Sequence, residues 1–148
     1  MNILFVDDVP DFKVKDTINY LETNKIKFSY NICKSINSAL RYLVSNKNNI
    51  NLIILDLGLP QFDDDNNFKY YYPYGGLEII DEMFRKKLFN IPIIINSITK
   101  FISSDGREEK EYLNSYYSPI FIEHVDKLEG EWLVKFIKTY LNEKMELI

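Results

Sequence analysis

Three aspartates stand where short apolar runs stop. Ile3-Leu4-Phe5-Val6 leads into Asp7 and Asp8, and Leu52-Ile53-Ile54-Leu55 leads into Asp56. A further run, Ile93-Ile94-Ile95, finishes on Asn96 and Ser97. If the fold brings these ends together, the carboxylates repel one another. At an effective dielectric near 20 and a spacing of ~5 Å, each pair costs about 3 kcal/mol. A shared proton relieves that repulsion. A hard divalent cation does so more simply, since Mg²⁺ favours a few carboxylates, a carbonyl and several waters. The Ser97 hydroxyl is a donor suited to a phosphoryl oxygen. A carboxylate beside Mg²⁺ with such a donor nearby is equipped to attack a phosphoryl group and form an acyl phosphate. A strand ending in Asp is commonplace, however, so the chemistry depends on what positions these residues.

The apolar runs are too short for helices, lack a helical period and are rich in branched side chains. They read as strands covered on both faces, as in a parallel sheet, and Gly58 and Pro60 force a turn after the second of them. Residues 27–32 alternate, with Phe28, Tyr30 and Ile32 separated by polar positions, which suits an edge strand with one wet face. A fifth strand is expected over residues 119–122. Between the strands lie helical patterns. Phe12, Val14, Ile18 and Leu21 form the first, and Ile36, Ala39, Leu40 and Leu43, capped by Ser35, form the second. Leu77, Ile80, Met83 and Phe84 form a third after Gly75-Gly76, and a charged helix is expected over about residues 108–116. The last, over about residues 129–142, repeats Trp132-Leu133, Phe136-Ile137 and Tyr140-Leu141. Five strands alternating with five helices predict a three-layer α/β domain around a mostly parallel sheet. A 2-1-3-4-5 strand order keeps the wholly apolar strands central. It puts the topological switch point between strands one and three, where ligands bind in open sheets. Asp7, Asp8 and Asp56 lie at that point.

Composition sets the bounds. The chain of 148 residues is expected to form one domain, 1–148, large enough for a proper core. No apolar run approaches the length of a membrane span. The first residues carry no basic segment and meet acids at once, so no secretory signal is expected. Cys33 stands alone and cannot form an internal disulfide, which points to a reducing, cytoplasmic compartment and a packing role. A net charge of −4 argues against nucleic acid as a direct partner.

Residues 61–74 form a connection unusually long for a compact domain. Acids fill positions 63–65, and Tyr70, Tyr71, Tyr72 and Tyr74 flank Pro73. The acids read as solvated. The tyrosines either lie on the domain's own apolar surface with their hydroxyls wet, or form a partner-binding patch. Because the connection leaves from the strand end that carries Asp56, it is expected to border the acidic crevice.

In order and spacing, the Ile3 run with Asp7-Asp8, the Leu52 run with Asp56-Leu57-Gly58-Leu59-Pro60, Gly75-Gly76-Leu77-Glu78-Ile79, and Pro92 through the Ile93 run to Asn96-Ser97 resemble the receiver domain of two-component response regulators. The resemblance covers roughly residues 1–142 and implies the flavodoxin-like architecture of that family. It implies that Asp56 is the phospho-acceptor, Asp8 a direct Mg²⁺ ligand, Asp7 a ligand through water, the Gly58 carbonyl a further ligand, and Ser97 the switch hydroxyl. It further implies a histidine kinase or phosphotransfer protein as donor, an output protein as partner, and self-catalysed phosphoryl transfer and hydrolysis in place of enzymatic turnover. No DNA-binding module follows the last helix, so output is expected through protein contacts.

Three departures accompany the resemblance. The family's lysine at the end of strand five has no clean counterpart: Lys127 is available several residues late and without the usual proline, and Glu123 and His124 compete for the place. The position after the switch hydroxyl, normally small, is Ile98, whose branched side chain is expected to restrict water and donor access to the phosphoryl group. The connection after strand three is roughly a dozen residues longer than a short one would be. These departures leave open a pseudo-receiver that signals by protein contact without phosphorylation. A phosphatase of the haloacid dehalogenase kind would need a second Asp at position 58, and a flavodoxin would need hydroxyls where Asp7 and Asp8 stand.

Overall fold

The computed structural model describes residues 1–64, 70–98 and 109–141. Five parallel strands form the central sheet: β1 (Asn2–Val6), β2 (Ser29–Cys33), β3 (Leu52–Leu55), β6 (Ile93–Asn96) and β7 (Ile122–Val125). Their order is β2-β1-β3-β6-β7. This is the expected 2-1-3-4-5 arrangement once two short strands outside the sheet, β4 (Leu59–Pro60) and β5 (Tyr71–Tyr72), are set aside. Every residue of β3 and β6 is buried, whereas β2 exposes its first three residues at the edge.

Alternation along the strands divides the core into two layers. Leu4, Val6, Ile53, Leu55, Ile93 and Ile95 pack against α2 (Ile36–Asn46) and α3 (Gly76–Arg85). Ile3, Phe5, Leu52, Ile54 and Ile94 pack against α1 (Lys13–Thr23) and α5 (Gly130–Phe136). Ser35 caps α2 as expected, its hydroxyl accepting from the Ser38 amide at 3.1 Å. Asn114 of α4 (Glu109–Tyr116) brackets the edge strand β7. Its side chain donates to the Ile122 carbonyl at 2.8 Å and accepts from the Ile122 amide at 3.2 Å. Those are backbone groups that an edge would otherwise leave unpaired. The Tyr117 hydroxyl donates to Asp81 at 2.5 Å and ties the end of α4 to α3.

Three expectations about local structure need correction. The fifth strand runs later than residues 119–122, over Ile122–Val125, because residues 117–119 form a turn. The last helix does not remain α-helical: after Phe136 it widens into a π-helical turn, Ile137–Leu141, while Trp132, Phe136 and Tyr140 stack along it with ring centroids 5.4 and 5.0 Å apart. The connection after β3 is not structureless. Its two ends pair as an antiparallel ladder, Leu59 with Tyr72 and Pro60 with Tyr71. Asp65, the polar segment 103–106, Glu108 and Asn142 lie outside the described residues.

Candidate functional site

The sheet register brings the acids together. Because β1 pairs with β3 through Val6–Leu55, the next residues, Asp7 and Asp56, leave adjacent strand ends side by side. Backbone bonds carry the ladder one step further: the Asp56 amide donates to the Val6 carbonyl at 2.9 Å, and the Asp7 amide to Cys33 at 3.0 Å. One carboxylate oxygen from each of Asp7, Asp8 and Asp56 lies within 4.8 Å of the others. Glycine makes this possible on the α3 side. A Cβ on Gly76 would come within 2.6 Å of the Asp56 carbonyl oxygen, so only glycine lets α3 start this close to the strand end.

Asp7 is 5% exposed, and burial pushes its pKa up to about 6. A hydrogen bond from the Val9 amide at 2.9 Å opposes that shift, and repulsion from Asp56 adds to it. Asp8 is raised as well, first by burial and then by Asp56.

Among the described residues, the cation that reaches the acids is Lys13, the first residue of α1. Its ammonium stands 3.3 Å from Asp56 Oδ2 and 3.8 Å from Asp7 Oδ2, and donates to the Asn96 carbonyl at 2.8 Å. Lys127, named from the sequence for this position, is exposed on the β7–α5 connection and pairs with none of the three acids. The reason is the register. Ile95 and Asn96 lie beside His124 and Val125, so Lys127 falls beyond the sheet. His124 is engaged elsewhere, with Nε2 2.8 Å from the Ser97 carbonyl. A carbonyl only accepts, so Nε2 carries the proton.

Lys13 was legible in principle. Val14, Ile18 and Leu21 are buried on α1, and Thr17 beside them is buried with its hydroxyl on the Lys13 carbonyl at 2.8 Å. Positions 13 and 17 therefore lie on the inward side of a helix that begins above the switch point.

Ser97 is 3% exposed and immediately follows β6, its amide bonded to Val125 at 3.1 Å. Asn96 is level with Asp56 across the β3–β6 pair, buried, and its Oδ1 has no hydrogen-bond partner among the described residues. Ile98, expected to restrict access to the phosphoryl group, is exposed. At 82% exposure its side chain stands in solvent beyond the strand, where sheet alternation no longer dictates direction.

A bulky side chain that does reach the site is Tyr71, one of the tyrosines of the long connection. Paired across from Pro60, it turns back over the strand exit so that its hydroxyl fills the space a Cβ on Gly58 would need. The connection thus borders the crevice, as anticipated. Burial and the three nearby carboxylates, Asp8 foremost, raise the Tyr71 pKa.

The donor set fits a hard divalent cation. Among the described residues, three carboxylates and one ammonium leave two negative charges in a space lined by oxygen. The orphaned Asn96 acceptor shares a cavity of about 10 Å³ with Asp7, Lys13 and Asp56, at the lower limit for one ordered water.

The sequence matches no protein-family model and no curated protein. The backbone does match solved structures. A response regulator receiver domain protein from Clostridium thermocellum superposes with a TM-score of 0.64 at 18% identity, over 99% of this chain and 98% of that one. A CheY-like receiver domain protein from Methanospirillum hungatei gives 0.56 at 15%, over 96% and 94%. The MaeR response regulator, bound to beryllium trifluoride, gives 0.50 at 20%, over 97% and 98%. The chain has the receiver-domain fold. Within that fold the acid cluster occupies the crevice at the carboxyl ends of β1 and β3. No helix among the described residues is long and apolar enough to cross a membrane.

Proposed function

We propose that the protein is a phospho-accepting receiver in which the Asp56 carboxylate takes a phosphoryl group from a histidine kinase or phosphotransfer protein. The observation that carries this reading is the convergence of Asp7, Asp8 and Asp56 at the switch point with the Lys13 ammonium against Asp56. In the transfer, an Asp56 carboxylate oxygen attacks phosphorus, the bond from phosphorus to the donor nitrogen breaks, and the imidazole leaves with its electron pair. The product is an acyl phosphate.

Asp8 and Asp56 would hold Mg²⁺ directly, Asp7 through water, and the Gly58 carbonyl would complete the protein's share. When bound, the ion supplies charge neutralisation for the phosphoryl oxygens. Lys13 keeps a fixed positive charge beside the accepting oxygen, and the Ser97 hydroxyl donates to the phosphoryl group. Self-catalysed transfer and hydrolysis are the only chemistry required. Output passes through protein contacts to a partner, without nucleic acid or membrane. A reducing cytoplasmic setting suits the single buried Cys33, whose thiol burial pushes up to about 11.

One observation favours a pseudo-receiver instead: the Tyr71 hydroxyl covers Gly58, two residues from the acceptor. Beryllofluoride, a phosphoryl mimic, separates the two readings. The phospho-accepting reading expects a ¹⁹F signal for the bound anion that requires Mg²⁺ and vanishes in Asp56→Asn. Absence of that signal in the wild-type chain favours the pseudo-receiver.

A further inference from the structure

Outside the acid cluster, the feature best tied to a chemical role is the short hairpin that returns the chain over β3. It is anchored at both ends. The Gln61 amide donates to Tyr70 at 2.7 Å, the Gly75 amide to Tyr72 at 3.1 Å, and the two ladder pairs lie between. A tyrosine held this way is presented at a fixed height above the strand exit. Gly58, two residues past Asp56, supplies the room: any larger residue would occupy the position of the Tyr71 hydroxyl oxygen. The small residue and the large one are complementary.

We propose that Tyr71 is a phosphoryl-contacting residue, its hydroxyl donating a hydrogen bond to a phosphoryl oxygen on Asp56 and its ring restricting water at the acyl phosphate. This rests on the phospho-accepting reading above. Chemistry favours a phenol here. The group stays protonated beside three carboxylates, so it adds a donor to a crowded anionic site without adding charge. It approaches from the exit of β3, whereas Ser97 approaches from the end of β6 and Lys13 from α1. Those three donors come from separate elements. A hydrogen bond to a charged acceptor is among the stronger kinds. In-line hydrolysis also needs a water held in a defined position, which a ring over the site denies.

The test uses the full chain and four proteins: wild type, Tyr71→Phe, Gly58→Ala and the double variant. Each is labelled with a small phosphodonor and Mg²⁺, and decay of the phosphoprotein is followed by intact mass. Tyr71→Phe is expected to shorten the phospho-Asp56 lifetime by about tenfold, the effect of losing one hydrogen bond to a charged group. Gly58→Ala, which displaces the hydroxyl, should shorten it comparably in wild type and add little in Tyr71→Phe. Ile98→Ala, whose side chain lies in solvent, should decay like wild type.

Equal lifetimes for wild type and Tyr71→Phe overturn the donor role. A second readout needs no phosphoryl group. Tb³⁺ bound at the acids should show tyrosine-sensitised emission that Tyr71→Phe largely removes; unchanged emission overturns the placement of Tyr71 over the cluster. If no protein is labelled, the phospho-acceptor reading fails and the donor role with it, while the Tb³⁺ arm still decides where Tyr71 stands.

Discussion

The Lys13 ammonium lies 3.3 Å from Asp56 Oδ2 and is held there by a 2.8 Å hydrogen bond to the Asn96 carbonyl. One lysine thus joins α1 to the ends of β3 and β6. The cation expected from the sheet's last strand comes instead from its first helix. Charge at Asp56 is therefore felt first by α1, whose packing partner on that layer is α5.

Lys13→Ala should weaken the metal-free fold by no more than ~1 kcal/mol, because the lysine side chain is 42% exposed and its attraction to the acids is screened. It should raise Mg²⁺ affinity several-fold by removing a like charge beside the metal's ligands. Titration calorimetry with Lys127→Ala as the comparison checks both. Lys127→Ala should leave affinity unchanged, and an equal effect from the two variants would remove Lys13 from its assigned place.

Asp7 gives the metal-free protein a defined pH dependence. Its carboxyl titrates at about 6 in the fold against the ordinary value of 3.8 in the unfolded chain. Between those values the folded state binds more protons, so this residue's contribution to stability falls as pH rises through about 4 to 6 and stays low above. Asp7→Asn should therefore match wild type near pH 3.5 and exceed it at pH 7 by on the order of 2 kcal/mol. Urea denaturation across that range measures the gap. Saturating Mg²⁺ should close it by stabilising wild type more than the variant.

Gly76→Ala probes the seat of α3. The added methyl would meet the Asp56 carbonyl oxygen at 2.6 Å, a backbone atom that cannot rotate away. A loss of roughly 1–3 kcal/mol is expected from the forced shift, together with weaker Mg²⁺ binding as the strand end moves. Thermal melts with and without Mg²⁺ check the pair. Unchanged stability would mean that α3 slides freely on β3.

The sheet and its acids were legible because buried parallel strands write themselves as unbroken apolar runs, and the first polar residue after each run marks the site end. Strand order followed from the one run, around Tyr30, that alternated. Of the contributors that were missed, Lys13 is marked only by its spacing to the buried Thr17, and the others sit where no period applies. Lys13 opens a helix, and its inward direction depends on how α1 lies across the sheet. Tyr71 reaches the acids only through pairing with Pro60, a contact across a connection that lacks strand-like alternation. Ile98 lies just past β6, where the sequence carries no rule for side-chain direction, and it points to solvent. The π-helical turn at Ile137–Leu141 falls within an apolar stripe that an α-helix would also have satisfied.

Intact mass decides whether Asp56 accepts a phosphoryl group. The full chain is incubated with a small phosphodonor and Mg²⁺, then digested to locate the label. A mass increase of one phosphoryl group is expected, dependent on Mg²⁺, located at Asp56 and absent in Asp56→Asn. Equal labelling of Asp56→Asn, or no labelling of a wild-type chain shown to bind Mg²⁺, would contradict it.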